Sequence, residues 1–157
     1  MSHRFAGAAL ALALAGGLSL TGCGTPGAPQ PPSLNLPERV TGLTAVRTGN
    51  QVSLTWTMPK KNTDKLLLKG NVPVRVCRQE EAGACAMAGD LALAPGAEGA
   101  FHETLSPALA SGPPRALTYF VEMDNRNGRS AGLSNAAVVL AGAAPGAVAL
   151  QVITQTS

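Results

Sequence analysis

The chain has 157 residues, a formal net charge of +3 and 13% charged side chains. Without residues 1–22 it keeps eleven of its twelve Lys and Arg residues and all nine acids, a mild basic excess that excludes a nucleic-acid-binding footprint. Because two histidines and three cysteines stand without clustered carboxylates, we expect no metal, no cofactor and no catalytic residues.

Residues 1–22 have the composition of an export signal. A short segment with one firm positive charge, Arg4, precedes an uncharged run of mainly Ala, Leu and Gly from Phe5 to Leu20. As a helix this run would measure about 24 Å, against roughly 30 Å for the hydrocarbon core of a bilayer. The run is therefore short for a permanent span, and we expect a cleaved signal peptide.

A cysteine follows this run, in the sequence Leu20-Thr21-Gly22-Cys23. A leucine, two small residues and a cysteine in this position resemble the lipobox of bacterial lipoproteins. The resemblance implies that the thiol of Cys23 takes a diacylglyceryl group, that cleavage falls just before it, and that its new amino group is acylated. The alternative is an ordinary secretory signal with a cysteine nearby.

The lipobox implies a place at the cell envelope. Three acyl chains would hold the protein on a membrane, since two membrane signals already anchor stably. Gly24 occupies the position where the family often has an aspartate that retains a lipoprotein on the inner membrane. We therefore expect a lipid-anchored envelope protein on the outer membrane, facing the periplasm or the cell surface.

Residues 23–36 consist of this cysteine and the uncharged stretch GTPGAPQPPSLNL. A segment so rich in proline and glycine cannot bury a core, so we expect an extended linker. At ~3.1 Å per residue its thirteen residues would reach about 40 Å, enough to lift a domain clear of the lipid headgroups.

Residues 37–140 give room for one small domain, and their dominant hydrophobic period is two. In QVSLTWTM, Val52, Leu54 and Trp56 alternate with polar residues, and LTYFVEMD alternates in the same way. This alternation is typical of antiparallel sheets packed on one side. We expect strands at 39–47, 51–58, 72–79, 85–93, 100–105, 116–124 and 131–140. Asn127-Gly128 predicts a tight hairpin turn, because both residues tolerate positive φ.

Two stretches of this domain resemble the fibronectin type III family, namely LPERVTGLTAVRTGNQVSLTWTMP and LTYFVEMDNRNGRSAGLSNAAVV. The resemblance implies an all-β, immunoglobulin-like antiparallel β-sandwich of about seven strands that binds or spaces and is not an enzyme. Its expected core includes Leu54, Trp56, Tyr119 and Val121. The further positions that match the family's first strand and its last hairpin are Pro37, Val40, Leu43, Asn125, Gly128, Ser130, Ser134 and Asn135.

The third predicted strand departs from the family pattern. Its sequence VPVRVCR offers valines where the family has a tyrosine. The departure leaves the core short of one aromatic side chain and the register between the third and fourth strands open.

Cys77 and Cys85 form an even pair in an exported protein, so we expect a disulfide. On the third predicted strand Val74 and Val76 share one face, which leaves Cys77 on the other face with Arg75. The bridge is therefore expected across the outside of the hairpin between the third and fourth strands. The spacing disfavours a redox-active pair, and two sulfurs with one histidine are a poor zinc site.

His102, within AFHETL, is the one histidine left after signal cleavage. A hydrolase would need it oriented by a carboxylate and beside a nucleophile, yet the sequence has no nucleophile motif such as G-x-S-x-G. We interpret His102 as an exposed strand residue.

Leucines surrounded by lysines occupy PKKNTDKLLLKGNVPVR, between the second and third predicted strands. One interpretation is a contact surface for an acidic or lipidic partner. The other is that the leucines begin the third strand or cover the end of the sandwich while the lysines stay solvated. The hairpin with Arg126 and Arg129 is expected at the same end of the fold. The candidate binding edge comprises Lys60, Lys61, Lys65, Leu66, Leu67, Leu68, Lys69, Arg126 and Arg129.

Residues 141–157 repeat part of the pattern at the start of the domain. Pro145, Val148 and Leu150 are spaced much as Pro37 and Val40 are with the leucine after them. The segment is expected to be either the first strand of an incomplete second sandwich or an apolar tail.

Together these features predict a membrane-anchored lipoprotein that presents a noncatalytic fibronectin type III-like module to an envelope protein or glycan. A structural spacer truncated from a longer multi-domain lipoprotein is the first alternative. An envelope redox protein or enzyme is the second, and free thiols at Cys77 and Cys85 would favour it.

Overall fold

The computed structural model describes residues 32–81 and 83–143. The predicted signal peptide, Cys23, the linker up to residue 31 and the tail from residue 144 lie outside these residues. Among the helices in the described ranges, none has the length and apolar character needed to cross a bilayer.

Two antiparallel sheets form the described part of the chain, which confirms the predicted all-β sandwich of about seven strands. One sheet has the order β1-β2-β5 and the other the order β4-β3-β6-β7. The elements are β1 (Thr44–Thr48), β2 (Gln51–Thr57), β3 (Val72–Glu80), β4 (Ala86–Leu93), β5 (Glu98–Thr104), α1 (Pro107–Ser111), β6 (Arg115–Met123) and β7 (Ala137–Ala141).

The core consists of the inward-facing residues of both sheets, which alternate with exposed ones as a period of two requires. Leu54, Trp56, Tyr119 and Val121 are all buried within it. The indole of Trp56 lies over Gly99 on the neighbouring strand, where a Cβ atom would approach the ring to 2.2 Å. Glycine at this position therefore makes room for the largest side chain of the core.

The first and last strands are shorter than predicted, and the side chain of Asn135 accounts for both differences. Strand β1 begins at Thr44 instead of 39, and β7 begins at Ala137 instead of 131. The amide of Asn135 accepts a hydrogen bond from the backbone N–H of Leu43 and donates one to its carbonyl, each at 2.9 Å. The side chain thus replaces a run of strand pairing between the two segments.

The hairpin between β6 and β7 also differs from the two-residue turn that Asn127-Gly128 predicts. Only Gly128 of the pair has a positive φ, at 68°. Its N–H donates to the carbonyl of Asn125, and the N–H of Asn125 donates to the carbonyl of Arg129. Three residues therefore lie between the paired positions, with glycine last in the left-handed conformation, a common hairpin form.

A disulfide joins Cys77 and Cys85, as the sequence predicts. Val74 and Val76 are buried while Cys77 lies on the outer face, so the bridge crosses the outside of the β3–β4 hairpin. The pairing of β3 with β4 shifts between Val76 and Cys77, where the register had been left open.

The connection from β5 to β6 contains α1, a helix too short to give the periodic signal that sequence reasoning relies on. Arg47 of β1 donates to the carbonyl oxygens of Ala110, Leu140 and Gly142 at 2.8–3.1 Å. One guanidinium therefore joins an edge strand of the first sheet to α1 and to the edge of the second sheet.

A polar network closes one margin of the sandwich interior, a feature that the sequence analysis did not anticipate. The Tyr119 hydroxyl donates to Glu103 at 2.5 Å, and the other oxygen of the same carboxylate pairs with Arg78. The side chains of Arg78 and Glu103 are 20% and 16% exposed. Burial raises the pKa of Tyr119 well above its ordinary value near 10, and the bond to Glu103 and its negative charge act in the same direction.

Tyr119 should therefore remain a phenol in the folded protein at pH values where a free tyrosine ionises. It is the only tyrosine of the chain, so absorbance at 295 nm reports it alone. We expect no tyrosinate signal from the folded protein at pH 11, and a titration near pH 10 in urea. Since the unfolded chain loses this proton first, the contribution of Tyr119 to the free energy of unfolding is constant below about pH 10. Above that pH the contribution falls by up to about 1.4 kcal/mol per pH unit.

Tyr119→Phe is the control for this assignment, because it removes the ionising group and with it the alkaline fall in stability. A folded protein that shows the tyrosinate signal at pH 10 would contradict the network.

Candidate binding cleft

A cleft of about 930 Å³ lies at the end of the sandwich where β2 and β6 finish and β3 begins. We call it the loop cleft. Its walls are the segment 33–37, the β2–β3 loop with the start of β3 (62–73), and the β6–β7 hairpin (124–129). Segments far apart in sequence meet here because antiparallel strands return their loops to the same end.

Asn62 organises the β2–β3 loop and is itself 2% exposed. Its side-chain oxygen accepts hydrogen bonds from the N–H groups of Asp64 and Leu66 at 3.0 and 2.9 Å. Its side-chain nitrogen donates to the side-chain oxygen of Asn35 at 3.1 Å. One buried amide thus fixes the path of the loop and joins it to the segment that enters the domain.

Asn125 plays the same part in the β6–β7 hairpin. Its side-chain oxygen accepts from the N–H groups of Asn127 and Arg129, and its side-chain nitrogen donates to the carbonyl of Leu34 at 2.8 Å. The hydroxyl of Ser33 donates to Asp64 on the opposite wall. Residues 33–35, which the sequence analysis placed in the linker, are therefore bonded to both loops.

Of the three leucines in the candidate binding edge, one covers the end of the sandwich and two form an exposed surface. Strand β3 starts at Val72, so none of the three belongs to it. Leu68 is partly buried and packs against the core, which fits a residue covering the end of the sandwich. Leu66 and Leu67 line the loop cleft with exposures of 56% and 69%. These two side chains are available for contact with a partner.

The cations of the candidate binding edge also divide. Lys65, Lys69, Arg126 and Arg129 line the loop cleft, while Lys60 and Lys61 do not. The carbon chain of Lys60 lies against Gly96, in the turn before β5. The structure thus separates two lysines from the rest of the predicted set.

Few of the cleft's cations are neutralised by neighbouring acids. Lys65 pairs with Glu38 at 2.6 Å. Among residues 32–81 and 83–143, no ion pair involves Lys69, Arg126 or Arg129. The carboxylate of Asp124, which also lines the cleft, is paired with Arg75 on β3. The balance of unpaired charge in the loop cleft is therefore positive.

A second set of exposed apolar side chains lies on the outer face of the four-stranded sheet. Met87, Val138 and Leu140 are 62%, 57% and 70% exposed. Leu140 pairs with Ala116 near the start of β6, so it lies at the end of the sheet away from the loop cleft. This group provides a comparison for Leu66 and Leu67, with similar exposure at a position outside the loop cleft.

His102 lies exposed on β5, as interpreted from the sequence, with its Nδ1 3.0 Å from the hydroxyl of Ser53. The adjacent Glu103 faces the sandwich interior and bonds to Tyr119 and Arg78. Its carboxylate therefore does not orient the imidazole. In the described ranges no three His, Cys, Asp or Glu side chains come together as a metal site would require.

The leucines and cations of the cleft can be recognised in the sequence, whereas the supporting role of its asparagines cannot. Asn35, Asn62 and Asn125 stand in proline-, lysine- or glycine-rich stretches, where asparagine is a common turn residue. What gives them their role is burial and a partner distant in sequence, neither of which a local pattern contains.

Models of known protein families and the sequences of curated proteins were both compared with the chain, and neither comparison gave a match.

Replacing Asn62 with alanine should loosen the cleft wall. Asn62→Ala leaves the Asp64 and Leu66 N–H groups without their acceptor, and we expect a loss of about 2 kcal/mol in the free energy of unfolding. Backbone amide exchange at these two positions should accelerate while that of β6 changes little. Hydrogen exchange read by NMR measures both effects.

Asn71→Ala removes the same atoms from an exposed position and serves as the control, with an expected change below about 0.5 kcal/mol. Equal effects from the two substitutions would show that the buried amide does not hold the loop.

Proposed function

We propose that the protein is a lipid-anchored envelope protein whose noncatalytic, fibronectin type III-like domain binds an acidic partner through the loop cleft. The partner is a component of the cell envelope that presents carboxylate, sulfate or phosphate groups beside an apolar surface. The observation that carries the proposal is the meeting of exposed Leu66 and Leu67 with the unpaired cations Lys69, Arg126 and Arg129.

The family resemblance gains support from the sheets. A sandwich of three strands facing four is compatible with the seven-stranded fold that the resemblance implies. Pro37, Val40 and Leu43, the positions that match the family's first strand, are buried, and so are the matching residues of β2 and β6. The noncatalytic role follows from the same resemblance.

The cleft has the features of a recognition surface. The amides of Asn62 and Asn125 fix its walls, which lowers the entropic cost of ordering loops on binding. Unpaired cations steer an acidic partner toward the cleft and reject a basic one. Exposed leucines add apolar area that a partner would bury. Charge supplies selectivity here, and the leucines supply affinity.

The anchor is tested by the intact mass of protein extracted from membranes. The expected chain begins at Cys23 and carries three acyl chains, because the lipobox resemblance implies acylation of both the thiol and the new amino group. Reduction should then add two hydrogens, from the Cys77–Cys85 bridge. A Cys23→Ser variant is the control and should lose the acyl mass. A soluble, unmodified wild-type chain would refute the anchor.

The cleft is tested by a pair of double substitutions with equal loss of charge. Arg126→Gln with Arg129→Gln removes two cations from the cleft, whereas Lys60→Gln with Lys61→Gln removes two from outside it. With heparin as a polyanionic probe, we expect the arginine pair to weaken binding about fivefold. The lysine pair should change it by less than about twofold, as measured by titration at low salt.

Equal weakening by the two pairs would mean that net charge alone drives binding. That result would remove the cleft from the proposal and leave the anchor standing.

A further inference from the structure

The chain enters the sandwich at the loop cleft. Ser33 bonds to Asp64 on one wall, and the carbonyl of Leu34 accepts from Asn125 on the other. The β1–β2 turn at Gly49 and Asn50, the disulfide hairpin and α1 lie at the opposite end, where β2 and β6 begin. The point of entry therefore distinguishes the two ends of the domain.

Covalent geometry limits how far this end lies from the lipidation site. Nine residues separate Cys23 from Ser33, and the ten Cα–Cα steps between the two span at most about 36 Å. A β-strand of nine residues such as β6 is itself about 30 Å long. An acylated Cys23 would therefore keep the loop cleft within about one domain length of the membrane surface.

The chemistry of the cleft suits the boundary of an anionic bilayer. Such a surface attracts clustered Lys and Arg side chains, and leucines beside them insert among the lipid headgroups and upper acyl chains. Leu66 and Leu67 are exposed and line the same cleft as Lys69 and the arginines of the β6–β7 hairpin. Of the acids near them, Asp124 is paired with Arg75, whereas Asp64 accepts a hydrogen bond from Ser33 and keeps its charge. The cations in no ion pair among the described residues, Lys69, Arg126 and Arg129, outnumber this one carboxylate.

Because the tether is short, even a weak affinity of the loop cleft for lipid headgroups leads to contact. Once the acyl chains are inserted, contact between cleft and headgroups is intramolecular and depends on a local concentration set by the linker. A separate acidic protein would have to compete with headgroups held permanently within reach. The position of the cleft beside the tether thus favours the membrane over a soluble partner.

We infer that the acidic partner of the loop cleft is the anionic phospholipid surface of the membrane that carries the anchor. Leu66 and Leu67 enter the headgroup layer, while Lys69, Arg126 and Arg129 contact lipid phosphates. The inference rests on the proposed lipid anchor and cationic cleft, and it orients the domain with its loop-cleft end toward the bilayer.

The chain allows a site-specific test in the complete lipidated protein. With Cys23 acylated and Cys77 bridged to Cys85, a cysteine introduced by Leu67→Cys is the only free thiol and can carry a fluorophore. Leu140→Cys is the matched control, since the two leucines are 69% and 70% exposed. Each labelled protein is reconstituted into vesicles of phosphatidylcholine alone or with phosphatidylglycerol, containing spin-labelled lipid as quencher.

We expect quenching at position 67 to exceed that at position 140 roughly threefold on vesicles with phosphatidylglycerol, and the two to be similar on phosphatidylcholine. Adding Arg126→Gln and Arg129→Gln to the Leu67→Cys protein should remove the excess quenching without releasing the protein from the vesicles.

The experiment distinguishes failure of the lipid anchor from failure of membrane contact by the loop cleft. If the protein fails to float with vesicles of either composition, the anchor is wrong and the inference falls with it. If it floats but position 67 is quenched no more than position 140, the anchor stands and the cleft faces away from the membrane. An acidic envelope protein or glycan would then be the occupant, and the heparin titration of the two double variants would still report the cleft.

Discussion

The packing of one sheet's inner face on the other is the constraint on which the remaining structure depends. Trp56 on β2 occupies the space that Gly99 leaves, and Tyr119 on β6 of the opposite sheet is fully buried in the same core. Because a shift of one residue would turn every inner side chain outward, burial fixes the register of both strands. That register determines that the loops after β2 and β6 reach the same end of the sandwich.

Beyond the ends of the strands, asparagine side chains form the hydrogen bonds that backbone groups form within a sheet. Asn62 and Asn125 accept hydrogen bonds from backbone N–H groups of their own loops and donate one to the segment that enters the domain. Asn135 accepts from the N–H of Leu43 and donates to its carbonyl. An asparagine side chain carries the same acceptor and donor as a peptide group, so it can extend a sheet without a strand. The loops they hold keep their shape, and Leu66 and Leu67 remain exposed instead of collapsing onto the core.

Charges are distributed unevenly over the molecule. Several charges on the four-stranded sheet are paired, Arg78 with Glu103 at the inner margin and Arg75 with Glu122 on the outer face. At the loop cleft, Arg126 has no such partner among the described residues. Paired charges contribute to folding and are unavailable for recognition, whereas unpaired ones beside exposed leucines favour an acidic surface. This contrast is the physical basis for assigning binding to one end of the domain.

Most of the strands and the disulfide follow from local patterns in the sequence. Period-two alternation located β2 and β6, because the pattern of burial along a strand is written in consecutive residues. An even pair of cysteines in a chain expected to be exported predicted the bond between Cys77 and Cys85, and the face of Cys77 predicted that the bridge lies outside the hairpin. The exposed leucines and cations were also visible, although the alternative that the leucines begin a strand could not be dismissed from the sequence.

The exact starts of two strands and the assembly of the loop cleft depend on tertiary contacts. The starts of β1 and β7 depend on Asn135 reaching Leu43, a contact between positions 92 residues apart that no local pattern contains. The cleft depends in the same way on Asn62 and Asn125 meeting the entering chain, and on which lysines face it. Local periodicity encodes which side of a strand is buried, whereas a site built from three distant segments exists only once the core has fixed their loops side by side.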